Sequence, residues 1–447
     1  MLHVTLTDTL TDRRTIFRPS KPSRVTLYVC GITPYDYAHM GHGRVYVTFD
    51  VLCRLLTYLG YTVSYCRNFT DIDDKLLARS QAEFGDEKRF VEIADRYIDS
   101  YHRDMKNLGC LLPQYEPRVT EHIPEIITFV QKLIDQEKAY ISGDDVYFSI
   151  NQYPSYGKLS KRKLEDLAIG VRVAVNEKKR NPLDFALWKS APQSSAGWES
   201  PWGWGRPGWH IECSALALKY LGETVDIHAG GMDLIFPHHE NEIAQSEALT
   251  HKPFARYWLH NAFVQINKEK MSKSLGNFFT LQDLFKQFDP MVIRYVFLQH
   301  QYRNPLDFSL DDLAAAQKSY QRLCRIMGNA DTLTSVAVSE LLPIPQRMLE
   351  FLCDDLNTPG LFGVVFENSA LLQEDMQLRD QVAYLLKNIL GLTLNFVEKV
   401  VNITPAIQAL LDEREAARVR KDWRRADELR DQLKSLGVEV HDKKGEN

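Results

Sequence analysis

The chain has 447 residues, 44% of them hydrophobic and 25% charged, and its 54 basic against 59 acidic side chains leave a net charge of −5. That balance describes a folded chain able to bury sizeable cores; no apolar run approaches the ~18 residues of a membrane span, and Met1 to Pro22 has no signal-peptide pattern. The seven cysteines are odd in number, widely spaced and without a CxxC pair, which argues against a disulfide framework and for a reducing cytoplasm.

In chain order, Arg24 to Cys30 (RVTLYVC) reads as a buried strand. A loop rich in glycine, proline and histidine follows, and apolar residues at helical spacing (Val47, Val51, Leu55, Leu59) predict a helix over 44–59, stopped by Gly60. Tyr61 to Arg67 is a second strand, so the opening segment is a βαβ unit and implies a parallel sheet. Residues 68 to about 110 read as helical. Residues 118–200 read as an insertion, with a helix over 123–136, a hairpin-like stretch over 139–150 and a lysine-rich loop over 155–180. Beyond it lie a helix over 211–220, a short strand at Thr224 to His228, and a helix that Pro237 opens. From about residue 310 the pattern is nearly all helical, and Leu411 to Leu436 reads as one long helix dense in arginine, lysine and acids. The bland reading of that run is a solvated, salt-bridged face.

Two segments carry chemistry. His39-Met40-Gly41-His42-Gly43-Arg44 leads straight into a helix, whose free N–H groups suit phosphates. Gly41 and Gly43 would allow close backbone approach, and His39 and His42 could donate hydrogen bonds to a transferring phosphate. Neither GxGxxG nor GxxxxGK[ST] occurs, which disfavours a dinucleotide fold and a P-loop. The second segment, Lys270-Met271-Ser272-Lys273-Ser274, spaces two ammonium groups that can meet ATP phosphates. In this order and on a βαβ core, the pair resembles the two signatures of class I aminoacyl-tRNA synthetases.

Further motifs narrow the resemblance: Tyr28-Val29-Cys30-Gly31, Asn68-Phe69-Thr70-Asp71, Gly208-Trp209-His210-Ile211-Glu212-Cys213, His228-Ala229-Gly230-Gly231-Met232-Asp233, and Phe236-Pro237-His238-His239-Glu240-Asn241-Glu242. From about residue 3 to 436 the chain resembles the cysteinyl-tRNA synthetase family. Read from the residues alone, His238 and Glu242 share one helix face. With Cys30 and Cys213 they make a reasonable zinc set, though a buried cysteine is more often a small hydrophobe.

The resemblance implies an α/β class I synthetase fold: a Rossmann-type parallel-sheet catalytic core with an inserted connective domain, then a C-terminal helical bundle and a small anticodon-binding region. The implied divisions are core first half 1–117, insertion 118–200, core second half 201–263, KMSKS-containing linking domain 264–312, helical bundle 313–402 and C-terminal region 403–447. It implies one zinc held by Cys30, Cys213, His238 and Glu242; catalytic roles for His39, His42, Lys270 and Lys273; ATP contacts from Gly41, His42 and Lys273; and substrate contacts from Gly31, Thr70, Trp209 and Asp233. ATP with Mg²⁺, L-cysteine and tRNA(Cys) are the implied partners of a cytoplasmic monomer. Asp355 to Pro359 (DLNTP) and the 411–436 stretch are expected on the tRNA side.

Within the family pattern, Met40 replaces a common isoleucine, Ile32 a usual proline, and Met232 a usual small residue, with crowding of the pocket beside Asp233 the expected effect. Family members also usually continue beyond the segment matching Val438 to Asp442. The nearest alternative on the same core is a ligase that joins cysteine to an amino sugar.

Overall fold

The computed structural model describes residues 2–163, 178–266, 269–270, 279–328, 330, 333–395 and 405–435. The chain opens with a hairpin, β1 (Thr5–Asp8) and β2 (Arg13–Ile16). It then enters β3 (Arg24–Ile32), whose residues from Leu27 to Cys30 are all buried, as a strand covered on both faces requires. Helix α1 (Met40–Tyr58) crosses to β4 (Thr62–Phe69), which lies parallel to β3. Val47, Phe49, Val51, Leu52, Leu55 and Leu56 bury the inner face of α1.

Helix α1 starts four residues before the predicted boundary because a histidine caps it. The His39 ring Nδ1 accepts from His42 N (3.3 Å), and the His42 ring Nδ1 accepts from His39 N (3.4 Å). This is a capping box written in histidine rather than Ser/Thr and Glu, so the usual signal was missing.

Helices α2 (Asp74–Phe84) and α3 (Phe90–Asn107) follow β4, and α4 (Ile123–Asp135) opens the insertion. After α4, β5 (Ala139–Ser142), β6 (Asp145–Phe148), β7 (Phe185–Ser190) and β8 (Gly205–Pro207), the last lying beyond the expected 118–200 bounds, form an antiparallel sheet in that order. The hairpin-like stretch over 139–150 holds β5 and β6, while β7 and β8 have no counterpart in the sequence reading. Two glycines here are demanded by strand contact: a Cβ on Gly205 would lie 2.3 Å from Lys189 O, and one on Gly208 2.0 Å from Ala186 O.

Helix α5 (Ile211–Leu221) leads into the fully buried β9 (Val225–Gly231), and α6 (Glu240–Thr250) into β10 (Ala255–Asn261). Between β9 and α6, Ile235–His239 is an irregular turn in which Phe236 is extended, so the regular helix begins at Glu240 rather than at Pro237. The central sheet is parallel throughout, in the order β10-β9-β3-β4. Its order reverses between β3 and β9, and such a switch point opens a crevice at the carboxyl ends.

A small sheet comes next, β11 (Val264–Ile266) flanked by β12 (Glu269–Lys270) and β13 (Leu306–Asp307). Helices α7 (Leu281–Gln287) and α8 (Pro290–Leu298) lie between β12 and β13. The helical part comprises α9 (Leu310–Met327), α10 (Pro343–Cys353), α11 (Thr358–Glu367), α12 (Ser369–Glu374) and α13 (Met376–Asn388).

The predicted single helix over 411–436 is a helical hairpin, α14 (Pro405–Val419) and α15 (Trp423–Ser435). Lys421 takes a left-handed φ of 59° in the turn, and Asp422 caps α15 by accepting from Arg425 N (3.2 Å). In the DLNTP segment, Asp355 and Thr358 are buried and hold the fold together.

Candidate active site and metal centre

The carboxyl ends of the four central strands surround a cleft of about 640 Å³, lined among others by Cys30, Gly31, His39, Gly41, His42 and Thr70, and by Trp209, Cys213, Asp233 and His238. On the side formed by the start of α1, the His39 and His42 rings stack at 3.7 Å between centroids. Desolvation lowers the His39 imidazole to about 4 and holds His42 well below its ordinary value, with His39 adding to the effect on His42. Each Nδ1 already accepts a backbone N–H, so each neutral ring carries its proton on Nε2. The pair therefore offers hydrogen-bond donors rather than positive charge.

The glycines of this loop serve the packing. A Cβ on Gly41 would touch the His39 ring at 2.9 Å, and one on Gly43 would meet Phe297, Leu108 and Leu281 at 3.1–3.2 Å. The segment after the second signature meets the first: His39 forms a backbone bridge with Thr280, and Leu281 N donates to Ala38 O (2.8 Å). Lys270 ends β12, paired with Gln265; its side chain, and Lys273 altogether, lie outside the described residues.

Deeper in the cleft, β3 supplies Cys30, α5 supplies Cys213, and the turn into α6 supplies His238 and, one helical turn on, Glu242. All four are buried, and their donor atoms lie within 4.8 Å of one another. Cys30 Sγ is 3.9 Å from Cys213 Sγ and 3.4 Å from Glu242 Oε1, and His238 Nε2 is 3.0 Å from Glu242 Oε1. Two thiolates on one tetrahedral zinc with bonds of ~2.3 Å sit roughly 3.8 Å apart. Glu242 Oε2, fully buried, makes no hydrogen bond, although His228 Nε2 stands 3.1 Å away off hydrogen-bond geometry. An under-satisfied carboxylate among soft sulfur donors fits a zinc ion.

The electrostatics agree. Burial holds the Cys30 thiol well above its ordinary value, while the hydrogen bond from Cys30 draws Cys213 down to about 6. Burial opposes charge on His238, but Glu242 and Cys213 outweigh it and raise the imidazole to about 10. A proton on His238 thus does part of a cation's work in the metal-free chain.

A second, overlapping quartet, Cys30, His228, His239 and Glu242, meets the same distance test. It offers one sulfur where the first offers two, so a soft ion favours the first. His228 opens one of the quoted motifs but received no role, because a histidine on a wholly buried strand gives no periodic signal. His239 is now tied down: its Nε2 lies 3.3 Å from Cys30 Sγ and its Nδ1 2.8 Å from His260 Nε2.

Thr70 and Gly31 sit in a buried network. Thr70 Oγ1 donates to Glu212 Oε2 (2.9 Å) and accepts from Asn68 Nδ2 (3.2 Å), while Asn68 Oδ1 accepts from Gly31 N (3.0 Å). Burial lifts the Glu212 carboxyl well above the usual range. Gly31 is irreplaceable sterically, since a Cβ there would lie 1.5 Å from Asn68 O. Trp209 is not core packing: it is 39% exposed, with its ring 4.5 Å from that of His238. Met232 is equally exposed and is not one of the cleft-lining residues, so it does not crowd Asp233.

Residues 16–318 match the family model for the class I (C) tRNA synthetase catalytic domain, and residues 401–447 that for the cysteinyl-tRNA ligase anticodon binding domain. The cysteine–tRNA ligase of Aquifex aeolicus is 44% identical over 479 residues, covering 97% of this chain and 96% of that protein. That of Thermosynechococcus vestitus is 46% identical, covering 98% and 96%. Among solved structures, Mycobacterium tuberculosis methionyl-tRNA synthetase with methionyl-adenylate shares the fold at a TM-score of 0.58 and 14% identity, covering 83% of this chain and 92% of that one. The Agrobacterium radiobacter K84 LeuRS–tRNA–LeuAMS complex does so at 0.60 and 11%, covering 84% of each. A catalytic-domain match over most of the chain, with relatives this similar over nearly its whole length, shows that the chain belongs to the cysteine–tRNA ligase family of class I synthetases.

Proposed function

We propose that this chain activates L-cysteine with ATP and transfers it to the 3′ end of tRNA(Cys), acting as a cytoplasmic monomer. The observation that carries this reading is one cleft lined both by the capped histidine loop and by the buried thiols Cys30 and Cys213. The cysteine carboxylate attacks the ATP α-phosphorus in line; the new O–P bond forms as the bond to the bridging oxygen breaks, and the electron pair leaves with pyrophosphate. The Nε2–H groups of His39 and His42 and the free N–H groups of α1 donate to the charge that develops. Lys270 and Lys273 supply the positive charge, and Gly41 leaves room for ATP, which enters with Mg²⁺. No protein nucleophile is needed, because positioning and electrostatics carry such transfers. A ribose hydroxyl of the tRNA then takes the cysteinyl group, and AMP leaves.

Cys30, Cys213, His238 and Glu242 would hold the zinc. Bound there, zinc supplies a soft Lewis acid that prefers a thiolate to a hydroxyl. Gly31, Thr70, Trp209 and Asp233 line the remainder of the amino-acid pocket, with the Asp233 carboxylate suited to the substrate ammonium. On the same reading, the chain divides at 1–117, 118–200, 201–263, 264–312, 313–402 and 403–447. The C-terminal hairpin α14–α15 supports the tRNA role through its match to an anticodon binding domain. Cysteine-dependent ATP–pyrophosphate exchange followed by charging of tRNA(Cys) tests the proposal. Exchange without charging would point instead to the amino-sugar ligase.

A further inference from the structure

Arg44, two residues beyond His42, is 1% exposed. Among the described residues it pairs with no carboxylate; its guanidinium is given over to backbone oxygens. Nη1 donates to Ala262 O (3.0 Å) and Phe263 O (3.1 Å), and Nη2 donates to Gln301 O (3.1 Å) and Asn304 O (2.6 Å). The first two carbonyls lie in the step from β10 to β11, and the other two in the corner between α8 and β13. Those two segments pair with each other, Val264 with Leu306 and Gln265 with Asp307. Strand β11 also pairs with β12, whose Lys270 begins the second signature. One planar, rigid fork thus joins the start of the histidine-loop helix to the sheet that carries the lysine loop. Ala262, Phe263 and Val264 line the cleft itself.

The far side of this junction is fixed as firmly. Gln301 Nε2 donates to Asp355 O (2.9 Å), and Tyr302 Oη donates to Asp355 Oδ1 (2.9 Å). The same carboxylate takes Thr7 N (2.9 Å) and Thr7 Oγ1 (2.5 Å) from β1. Asp355 and Leu356 both hold left-handed backbone, φ 57° and 54°. Two successive non-glycine residues stay there only where their surroundings over-determine them. The DLNTP turn is therefore a clamp on the 301–302 corner, and that corner presents its carbonyls to Arg44.

We propose that Arg44 is a positioning residue for adenylate formation: it registers the histidine loop against the sheet leading into Lys270–Ser274, with Asp355 holding the opposite side of the register. The proposal rests on the reading of the cleft as an ATP-activating site. A purely structural arginine would lower stability and leave turnover per folded site unchanged; a positioning one lowers turnover itself.

The experiment uses the full, zinc-loaded chain and the variants Arg44→Lys and Tyr302→Phe. Lysine keeps the charge but offers one point donor to four carbonyls, and phenylalanine removes a single hydroxyl from the clamp. Zinc content, active sites titrated by the adenylate burst, and kcat and KM for cysteine-dependent ATP–pyrophosphate exchange are measured. Arg44→Lys should lower kcat per titrated site by about 10²-fold, with zinc content and the cysteine KM unchanged, since a shift of ~1 Å in a reacting group has that effect. Tyr302→Phe should lower kcat by roughly 3–10-fold, the worth of one hydrogen bond, again at constant KM. Parental kcat per titrated site in Arg44→Lys overturns the proposal. If Arg44→Lys yields no folded protein, Tyr302→Phe decides: reduced kcat at constant KM upholds the proposal and parental kcat overturns it. Absence of exchange in the parent chain would overturn the proposed function first and this inference with it, an outcome distinct from a variant-specific result.

Discussion

Glu242 and His238 stand one helical turn apart and fully buried, and Glu242 leaves one oxygen without a hydrogen bond. Such a pair tolerates burial when a cation completes it. Cys213→Ser should therefore remove most of the zinc from the purified protein, as metal analysis would record; full retention would rule out this quartet. Protons give a second measure. In the metal-free chain burial keeps the Cys30 thiol protonated, and His238, at about 10, is an imidazolium at neutral pH, whereas Cys213, at about 6, is already a thiolate. Ligands must be deprotonated to bind, so loading at pH 7 should release one proton from Cys30 and one from His238, about two in all, and zinc should bind more tightly as pH rises. Titration in weak buffer with a pH indicator checks this. On the nucleotide side, His42→Ala should slow cysteine activation by about 10²–10³ and leave the zinc in place; an unchanged exchange rate would remove His42 from the reaction. Much at this scale was visible beforehand. Spacing put His238 and Glu242 on one face, and family resemblance implied all four as ligands; the four are brought together here. Glu212, Asn68 and His228 received no role, because each sits on a buried stretch whose neighbours are also buried, and a polar residue there is recognised only by its partner across the sheet.

At the scale of elements, the parallel core was legible from the strand–helix–strand rhythm, whereas β7 and β8 were not: β7 (FALWKS) has no apolar–polar alternation, and β8 is three residues among glycines and prolines. Nor was the break between α14 and α15, where Lys421 and Asp422 interrupt a pattern whose charges continue the helical rhythm; several of those charges pair locally, as Arg425 does with Glu413 (2.8 Å) and Glu428 (3.2 Å). The contact of α3 with α7 makes a pH-dependent joint. Asp104 on α3 is buried with Oδ2 unpaired, and burial raises its carboxyl to about 7 against the hydrogen bond from Gln282 of α7. The folded state keeps this proton up to about pH 7, while the unfolded chain loses it near the usual carboxylate value of about 3.9. Folding therefore takes up a proton between those values, and the contribution of Asp104 to stability is present below that window and lost as pH rises through it. Asp104→Asn should raise the thermal midpoint more at pH 8 than at pH 5, as parallel melting curves would record. An equal gain at both values would mean that the carboxyl is already ionised in the fold.

At the scale of the whole molecule, buried arginines bind distant parts of the chain. Arg294 of α8 reaches Asp50 of α1 (2.5 Å), Leu108 O (2.8 Å) and Leu390 O (2.7 Å), so α1, the end of α3 and the end of the helical bundle meet at one guanidinium. Composition and periodicity carry no trace of such a hub, because its partners, a carboxylate and two backbone oxygens, are far away in sequence. The same holds for the two feet of the lysine loop. One foot, Lys270, is paired to β11, and the other, Thr280, is bridged to His39, so nine residues span the gap between them. Lengthening that tether by two glycines changes its closure entropy by only about 0.2 kcal/mol. Thermal stability should accordingly be blind to the insertion, and melting curves of the insertion variant should overlay those of the parent. On the proposed function, the rate of cysteine activation should instead fall severalfold when the glycines follow Lys273, because they change its spacing from Thr280 and a reacting group displaced by ~1 Å loses far more than the closure entropy would take. The length of this tether is thus a quantity that folding leaves free and only turnover constrains, so natural selection on this segment would register as conserved spacing rather than as conserved stability.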